Sequence, residues 1–249
     1  MESLQYDQHF LIDPAVRDQL ISCARLTSKD VVLEIGAGTG FITQELARHC
    51  AKVIAVEMDL RFKPDLASLP ANVEVLFGNA LDIIGRINYS KVVANPPFAI
   101  CEPLLKALLK KNPKRISLLV SAHFYSLFYS ESKWALIAPL FYTISKVMDV
   151  PKNAYEPLPR VSTVIMLFVR RTANLTTFEK IIKEMVLQDD KKVKNALANA
   201  FRTVLCISKL QATNLSKSML VPPVIGLKRV DHLSNRQFKS MHQKISLFK

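Results

Sequence analysis

Four short stretches carry residue types that could do chemistry together. The first is Glu34-Ile35-Gly36-Ala37-Gly38-Thr39-Gly40. Glycines let the backbone turn sharply and approach a ligand closely. The spacing is G-x-G-x-G, and Phe41 stands where the dinucleotide fingerprint needs a small residue. That disfavours a nicotinamide-dependent oxidoreductase and suits a nucleoside ligand without a pyrophosphate. No Gly-Lys-Ser/Thr follows, so a P-loop is excluded. The second is Glu57, closing the apolar run 53–56, where a carboxylate can accept hydrogen bonds from both hydroxyls of a ribose, with Asp59 as its competitor. The third is Gly78-Asn79-Ala80-Leu81-Asp82: Asn79 can read the edge of an adenine, and Asp82 can cap a following turn. The fourth is Asn95-Pro96-Pro97-Phe98. The exocyclic amine of adenine is a poor nucleophile because its lone pair is delocalised into the ring. Acceptors aimed at the amine hydrogens, here the Asn95 side-chain oxygen and the Pro96 carbonyl, draw the nitrogen towards a tetrahedral shape as it attacks. This is electrostatic stabilisation of developing charge. Phe98 offers a face on which an extruded base can stack.

These stretches need strands to hold them. Val31–Ile35, Val53–Val56, Val73–Phe77, Lys91–Ala94 and Ile116–Val120 read as buried strands, with helices over Thr39–His49 and Pro103–Lys111. Ile144–Val150 and Thr163–Val169 are β-branched enough for a terminal strand pair. Strands alternating with helices predict an α/β fold, a mostly parallel sheet with helices on both faces. After Arg170-Arg171 the composition changes: Phe178–Leu187, Val193–Leu205 and Asp231–Leu247 read as lysine-rich amphipathic helices, the last opened by a Ser234/Gln237 capping box. Val221-Pro222-Pro223 reads as a loop. The expected division is a ligand-binding catalytic domain over 1–171 and a small, basic, all-helical domain over 172–249.

Charge supports a polyanionic partner. Lys+Arg 34 against Asp+Glu 21 leaves +13, and the pI is about 9.7, which suits nucleic acid. Lys180, Lys183, Lys191, Lys192, Lys194, Lys209, Lys217, Lys228, Lys239 and Lys244 are candidates for phosphate contacts, which position without specifying. Hydrophobic residues make up 49 %, excluding a disordered chain. The longest uncharged run, Ile116–Ser130, contains His123 and four serines, whereas a spanning helix needs roughly 20 apolar residues. Met1–Asp7 show no basic stretch leading into an apolar core, so a cytoplasmic protein without a secretory signal is expected. The four cysteines form no C-x-x-C pair and the five histidines show no ligand spacing, so neither a metal nor a disulfide framework is expected.

With these motifs in order, the chain resembles class I S-adenosylmethionine-dependent methyltransferases acting on amino nitrogen, and within them the ribosomal RNA adenine N6-dimethyltransferase family. Three further stretches carry the likeness. Gln8-His9-Phe10-Leu11 is similar to the family's Gln-(Asn/His)-Phe-Leu motif, Tyr155-Glu156-Pro157-Leu158-Pro159-Arg160-Val161-Ser162-Thr163 to its Phe-x-Pro-x-Pro-Lys-Val-x-Ser segment, and 229–238 to the Arg-Pro-x-x-Leu-Ser-x-x-x-Phe end of its helical domain. The resemblance implies a Rossmann-like sheet followed by a helical domain. It implies S-adenosylmethionine held by His9, Leu11, Gly36, Gly38, Glu57, Asn79 and Asn95, with Asn95, Pro96 and Phe98 at the target amine and the aromatic at 155 beside the base. The implied substrate is a pair of adjacent adenosines in the 3′-terminal hairpin of small-subunit rRNA, within a pre-ribosomal particle, each receiving two methyls from a monomeric enzyme with no membrane partner.

Three departures keep other readings open. The family has Asp where this chain has Asn79, and Asn-Leu-Pro-Tyr where it has Asn-Pro-Pro-Phe; the stretch 121–125 lacks charged residues. The rivals are a methyltransferase of large-subunit rRNA or of a protein glutamine nitrogen, and an RNA-binding ribosome assembly factor with little catalysis.

Overall fold

The computed structural model describes residues 9–220 and 224–247. Gln8 of the N-terminal motif and the Val221-Pro222-Pro223 loop lie outside the described residues. Contacts divide the chain into two compact units.

The first unit contains residues 9–126 and 143–170. Its strands are β1 (Phe10–Leu11), β2 (Val31–Ile35), β3 (Lys52–Glu57), β4 (Val73–Phe77), β5 (Lys91–Ala94), β6 (Arg115–Ser121), β7 (Tyr142–Val150), β8 (Tyr155–Glu156) and β9 (Thr163–Arg170). Seven of them form one sheet in the order β4-β3-β2-β5-β6-β9-β7. β2 is parallel to both β3 and β5, β4 to β3 and β6 to β5. β9 runs antiparallel to β6. The middle strands are apolar nearly throughout because the sheet is covered on both sides: Val32, Leu33, Val92, Val93, Leu118 and Leu119 are fully buried. β1 and β8 make a separate antiparallel pair, Phe10 opposite Glu156 and Leu11 opposite Tyr155.

The flanking helices are α1 (Pro14–Ser22), α2 (Phe41–Ala47), α3 (Lys63–Leu66), α4 (Ala80–Ile83), α5 (Cys101–Lys111) and α6 (Ala122–Ser126). α1 buries Val16, Leu20 and Ile21, and its start is well marked. Asp13 accepts from the Ala15 and Val16 amides at 2.8 and 3.3 Å, and Pro14 occupies the first turn, where its missing N–H is no loss. A buried ion pair braces the base of the sheet: Lys91 Nζ lies 2.8 Å from Asp30 Oδ2, and Ser90 Oγ donates to Asp30 Oδ1 at 2.7 Å. Burial opposes ionisation of Asp30. The Lys91 ammonium, with the Ser90 and Thr27 hydroxyls, overrides that and holds its carboxyl well below the usual range.

The second unit contains 127–142 and the described residues from 171 onward. Its helices are α7 (Trp134–Ile137), α8 (Thr177–Val186), α9 (Val193–Leu205), α10 (Lys209–Met219), α11 (Val224–Leu227) and α12 (Asn235–Ser246). Capping boxes open α8 (Thr176/Glu179), α10 (Ser208/Gln211) and α12 (Ser234/Gln237), each satisfying two amides that a helix start leaves unpaired. Burial follows helical spacing: Ile181, Ile182 and Met185 on α8; Ala196, Leu197, Ala200 and Phe201 on α9; Phe238, Met241 and Ile245 on α12. α10 was not read from the sequence because Ala212 and Ser216 are its buried positions, too small and polar to show a stripe. The helix expected from Asp231 starts later: 230–232 form a 3-10 turn, and α12 begins after the Ser234 cap.

One segment sits elsewhere than the expected boundary at 171. Residues 127–142 pack with the helical unit: Trp134, Ile137 and Phe141 are buried, the Phe141 carbonyl accepts from the Arg171 amide at 2.8 Å, Lys183 Nζ lies 4.6 Å above the Phe141 ring, and the Lys133 amide donates to Asn235 Oδ1 at 3.1 Å. Alternating hydrophobicity does not register such an insertion, since its partners lie far along the chain.

Candidate active site

In this sheet the connection after β2 leads to β3 on one side, while β5 joins β2 on the other. The carboxyl ends of β2 and β5 therefore diverge at a topological switch point, where α/β sheets open a crevice. A cleft lined by His9, Phe10, Gly36, Gly38, Glu57, Asn95, Pro96, Pro97 and Phe98 opens there.

The glycine loop forms one wall. Gly36, Gly38 and Gly40 have φ of 79°, 53° and 82°, a left-handed region where a side chain is strained. Space is also short. A Cβ on Gly36 would stand 3.3 Å from the Asn95 carbonyl oxygen, and one on Gly38 would stand 3.3 Å from the Phe10 ring. The loop thus brings backbone to both the Asn-Pro-Pro-Phe turn and the N-terminal strand.

Glu57 stands at the end of β3, its carboxylate fixed by three amides. Oε2 accepts from Gly38 N, and Oε1 from Met58 N and Asp59 N, each at 2.8 Å. Oε1 is thereby saturated, and Oε2 retains a lone pair for a ligand hydroxyl. Its competitor is engaged elsewhere: Asp59 caps the next turn and holds Arg61, with Arg61 Nη2 at 2.6 Å from Oδ2. Beneath the loop, Glu34 is 1 % exposed, and neither of its carboxyl oxygens has a hydrogen-bond partner among the described residues. Burial pushes its pKa up to about 8, the nearby Thr43 hydroxyl works against that, and the Glu57 charge adds to it.

The opposite wall joins parts distant in sequence. Asn95 Nδ2 donates to the His9 carbonyl at 3.0 Å. Only the amide nitrogen can donate to a carbonyl, so this bond sets the orientation of the side chain and leaves Oδ1 as a free acceptor. The His9 ring lies 6.0 Å from Phe98, tilted by 27°, and its Nδ1 is 3.0 Å from the Pro157 carbonyl. His9 therefore links the turn after β5 to the segment after β8.

The structure brings together His9, Gly36, Gly38, Glu57, Asn95, Pro96 and Phe98, all named from the sequence. Three others are placed differently. Tyr155 is 2 % exposed and packs in the core with Leu11; its hydroxyl donates to Thr163 Oγ1 at 2.9 Å. It lines no part of the cleft, which corrects the expectation of an aromatic beside the base. Pairing with β1 turns side chain 155 inward and leaves Glu156 exposed. Leu11, 4 % exposed, likewise points into the core, so contact with a ligand would have to come from its backbone. Asn79 is exposed and lies outside the cleft lining; its Oδ1 caps α4 by accepting from Leu81 N at 3.0 Å. The capping role considered for Asp82 falls to Asn79 instead. Phe10 and Pro97 line the cleft and were not singled out. Phe10 packs edge-on to Phe62 at 5.4 Å. Strand alternation was the available signal: with Leu11 facing the core, its neighbour must face the other way.

The model of the ribosomal RNA adenine dimethylase family matches residues 2–221. The chain belongs to that family. Family membership makes it an S-adenosylmethionine-dependent rRNA methyltransferase. A relative from Methanosarcina mazei, described as a probable ribosomal RNA small subunit methyltransferase A, is 34 % identical over 208 residues, 78 % of this chain and 76 % of its own. One from Pyrococcus abyssi with the same description is 29 % identical over 244 residues, 95 % of this chain and 89 % of its own. Among solved structures, a dimethyladenosine transferase from Plasmodium falciparum aligns with TM-score 0.62 at 23 % identity, covering 96 % of this chain and 98 % of its own. The 23S rRNA methyltransferase ErmE aligns with TM-score 0.62 at 18 % identity, covering 95 % and 99 %. These likenesses speak for the fold. No helix among the described residues is long and apolar enough to cross a membrane.

Proposed function

We propose that this chain dimethylates the N6 amines of two adjacent adenosines in the 3′-terminal hairpin of small-subunit rRNA. The observation that carries the reading is the Asn95 amide, turned by its bond to the His9 carbonyl so that Oδ1 stays free beside Phe98 in the cleft. An adenine amine has two hydrogens, and Oδ1 with the Pro96 carbonyl supplies two acceptors for them. Such donor–acceptor pairing withdraws the nitrogen lone pair from the ring and stabilises the charge that develops during attack. Phe98, backed by His9, provides the stacking face.

The walls fit S-adenosylmethionine. Gly36 and Gly38 leave room that a Cβ would fill, and Glu57 Oε2 keeps a lone pair for a ribose hydroxyl. His9, the Leu11 backbone, Gly36, Gly38, Glu57 and Asn95 would hold it, with the Asn79 amide at the adenine edge. When bound, that cofactor supplies a methyl group on a sulfonium. Asn79 lacks a carboxylate's charge, and the cap on α4 takes one lone pair of its oxygen, so this residue contributes less than the family's Asp would.

The helical unit offers cations for the rRNA backbone. Lys180, Lys192, Lys194, Lys209 and Lys217 are exposed, and their ammonium groups have no partner among the described residues. Lys191, Lys228 and Lys239 already contact Gln188, Gln237 and Glu131. The names of the archaeal relatives favour the small subunit. The test is labelled S-adenosylmethionine with immature small subunits, followed by mass analysis of the rRNA. Dimethyladenosine in the 3′ hairpin is expected; transfer only to large-subunit rRNA, or only to protein, would overturn the assignment.

A further inference from the structure

Leu158 is 62 % exposed. A lone exposed leucine is ordinary, but its mounting is not. It stands between Pro157 and Pro159, which fix their own φ and confine residue 158 to extended backbone. Pro159 is buried and roots the loop. Lys152 Nζ donates to the Arg160 carbonyl at 3.0 Å, and the Ala122 amide to the Ser162 carbonyl at 2.8 Å. The Pro157 carbonyl meets His9 Nδ1, whose ring faces Phe98 in the cleft. The apolar tip is therefore one residue, about 3.8 Å along the chain, from a group that touches the cleft wall. Lys152 and Arg160 expose two cations on the same short segment. A stiff apolar point flanked by cations matches the chemistry of stacked bases flanked by phosphates.

We propose that Leu158 is a wedge that enters the RNA stack beside the target and keeps the extruded adenosine out of its helix. The proposal rests on the rRNA adenine reading above. Extracting a stacked base costs free energy, least where the base is already unpaired, and an inserted apolar side chain offsets part of that by filling the gap. Leu158 is thus a positioning residue with a contribution that depends on the RNA's structure. Docking of a protein partner on this loop would carry no such dependence.

Two RNAs test it: a hairpin with the target adenosines stacked, and the same strand as an unpaired oligonucleotide. Leu158→Ala is expected to slow methylation of the hairpin about tenfold or more and of the unpaired strand by less than about threefold, with cofactor affinity unaltered. Leu158→Met, which keeps apolar reach, should restore most of the hairpin rate. With 2-aminopurine at the target position, wild-type protein should raise the fluorescence on binding, and Leu158→Ala should bind without that rise. Equal losses on both RNAs, no loss on either, or an undiminished rise would overturn the wedge. Wild-type protein that leaves the target adenosines unmethylated in immature small subunits would instead overturn the adenine reading. The fluorescence comparison needs no methyl transfer and still decides the wedge.

Discussion

The two walls of the cleft are built by different means. The glycine-loop wall is local: Glu34 to Gly40 and Glu57 sit at the ends of neighbouring strands β2 and β3, tied by backbone amides to one carboxylate. The Asn95 wall is assembled from His9, the turn after β5 and the segment after β8, joined by a side-chain amide, an imidazole and two backbone carbonyls. The first wall depends on backbone conformation, so its failures should appear in cofactor binding. The second depends on side-chain orientation, so its failures should appear in turnover.

The largest effect expected is at Asn95. Asn95→Ala removes the acceptor and should reduce kcat by about 10²–10³-fold, as loss of one preorganised polar group typically does, while cofactor binding stays measurable by calorimetry. Unchanged turnover would dissolve the distinction between the walls. Gly36→Ala comes next: the left-handed φ and the Asn95 carbonyl 3.3 Å from the new Cβ should cost about 1–3 kcal/mol, seen as weaker S-adenosylmethionine binding and a lower Tm. Glu34 tests the floor beneath the first wall. Its folded pKa, pushed up to about 8, lies above the unfolded value, so the stability it contributes is present at acid pH and is lost as pH rises towards 8. The slope is about 1.4 kcal/mol per pH unit in that window. Glu34→Gln should flatten this dependence in a series of thermal melts. The smallest effect belongs to the tie itself: His9→Ala leaves the carbonyl that Asn95 uses, removes the ring behind Phe98 and the bond to Pro157, and should lower kcat with a loss of about 0.5–1.5 kcal/mol, with a smaller loss of cofactor affinity.

Legibility followed the same division. Strands β2 to β6 and helices α8 and α9 were readable because burial on both faces, or on one helical stripe, writes itself into local periodicity. Gly36, Gly38, Glu57, Asn95, Pro96 and Phe98 were readable because strand ends place them in one crevice. The inward turn of Tyr155 and Leu11 and the capping bond of Asn79 were not legible, because an identity in a motif does not state which way a side chain turns. β1 and β8 are two residues each, and their pairing decided which way each alternation runs: 155 faces inward while 10 faces the cleft. Residues 127–142 were misassigned for a related reason, their partners Arg171 and Asn235 being remote in sequence.

From residue order alone came the sheet's alternation, the glycine turn, the acid at 57 and the Asn-Pro-Pro-Phe turn, since each is dictated by neighbours within one strand or loop. Tertiary structure decided which carboxylate, Glu57 or Asp59, faces the cleft, how the Asn95 amide is rotated and which aromatics line the wall. Those outcomes turn on hydrogen bonds and packing between segments tens of residues apart, whose geometry exists only once the sheet has closed around them.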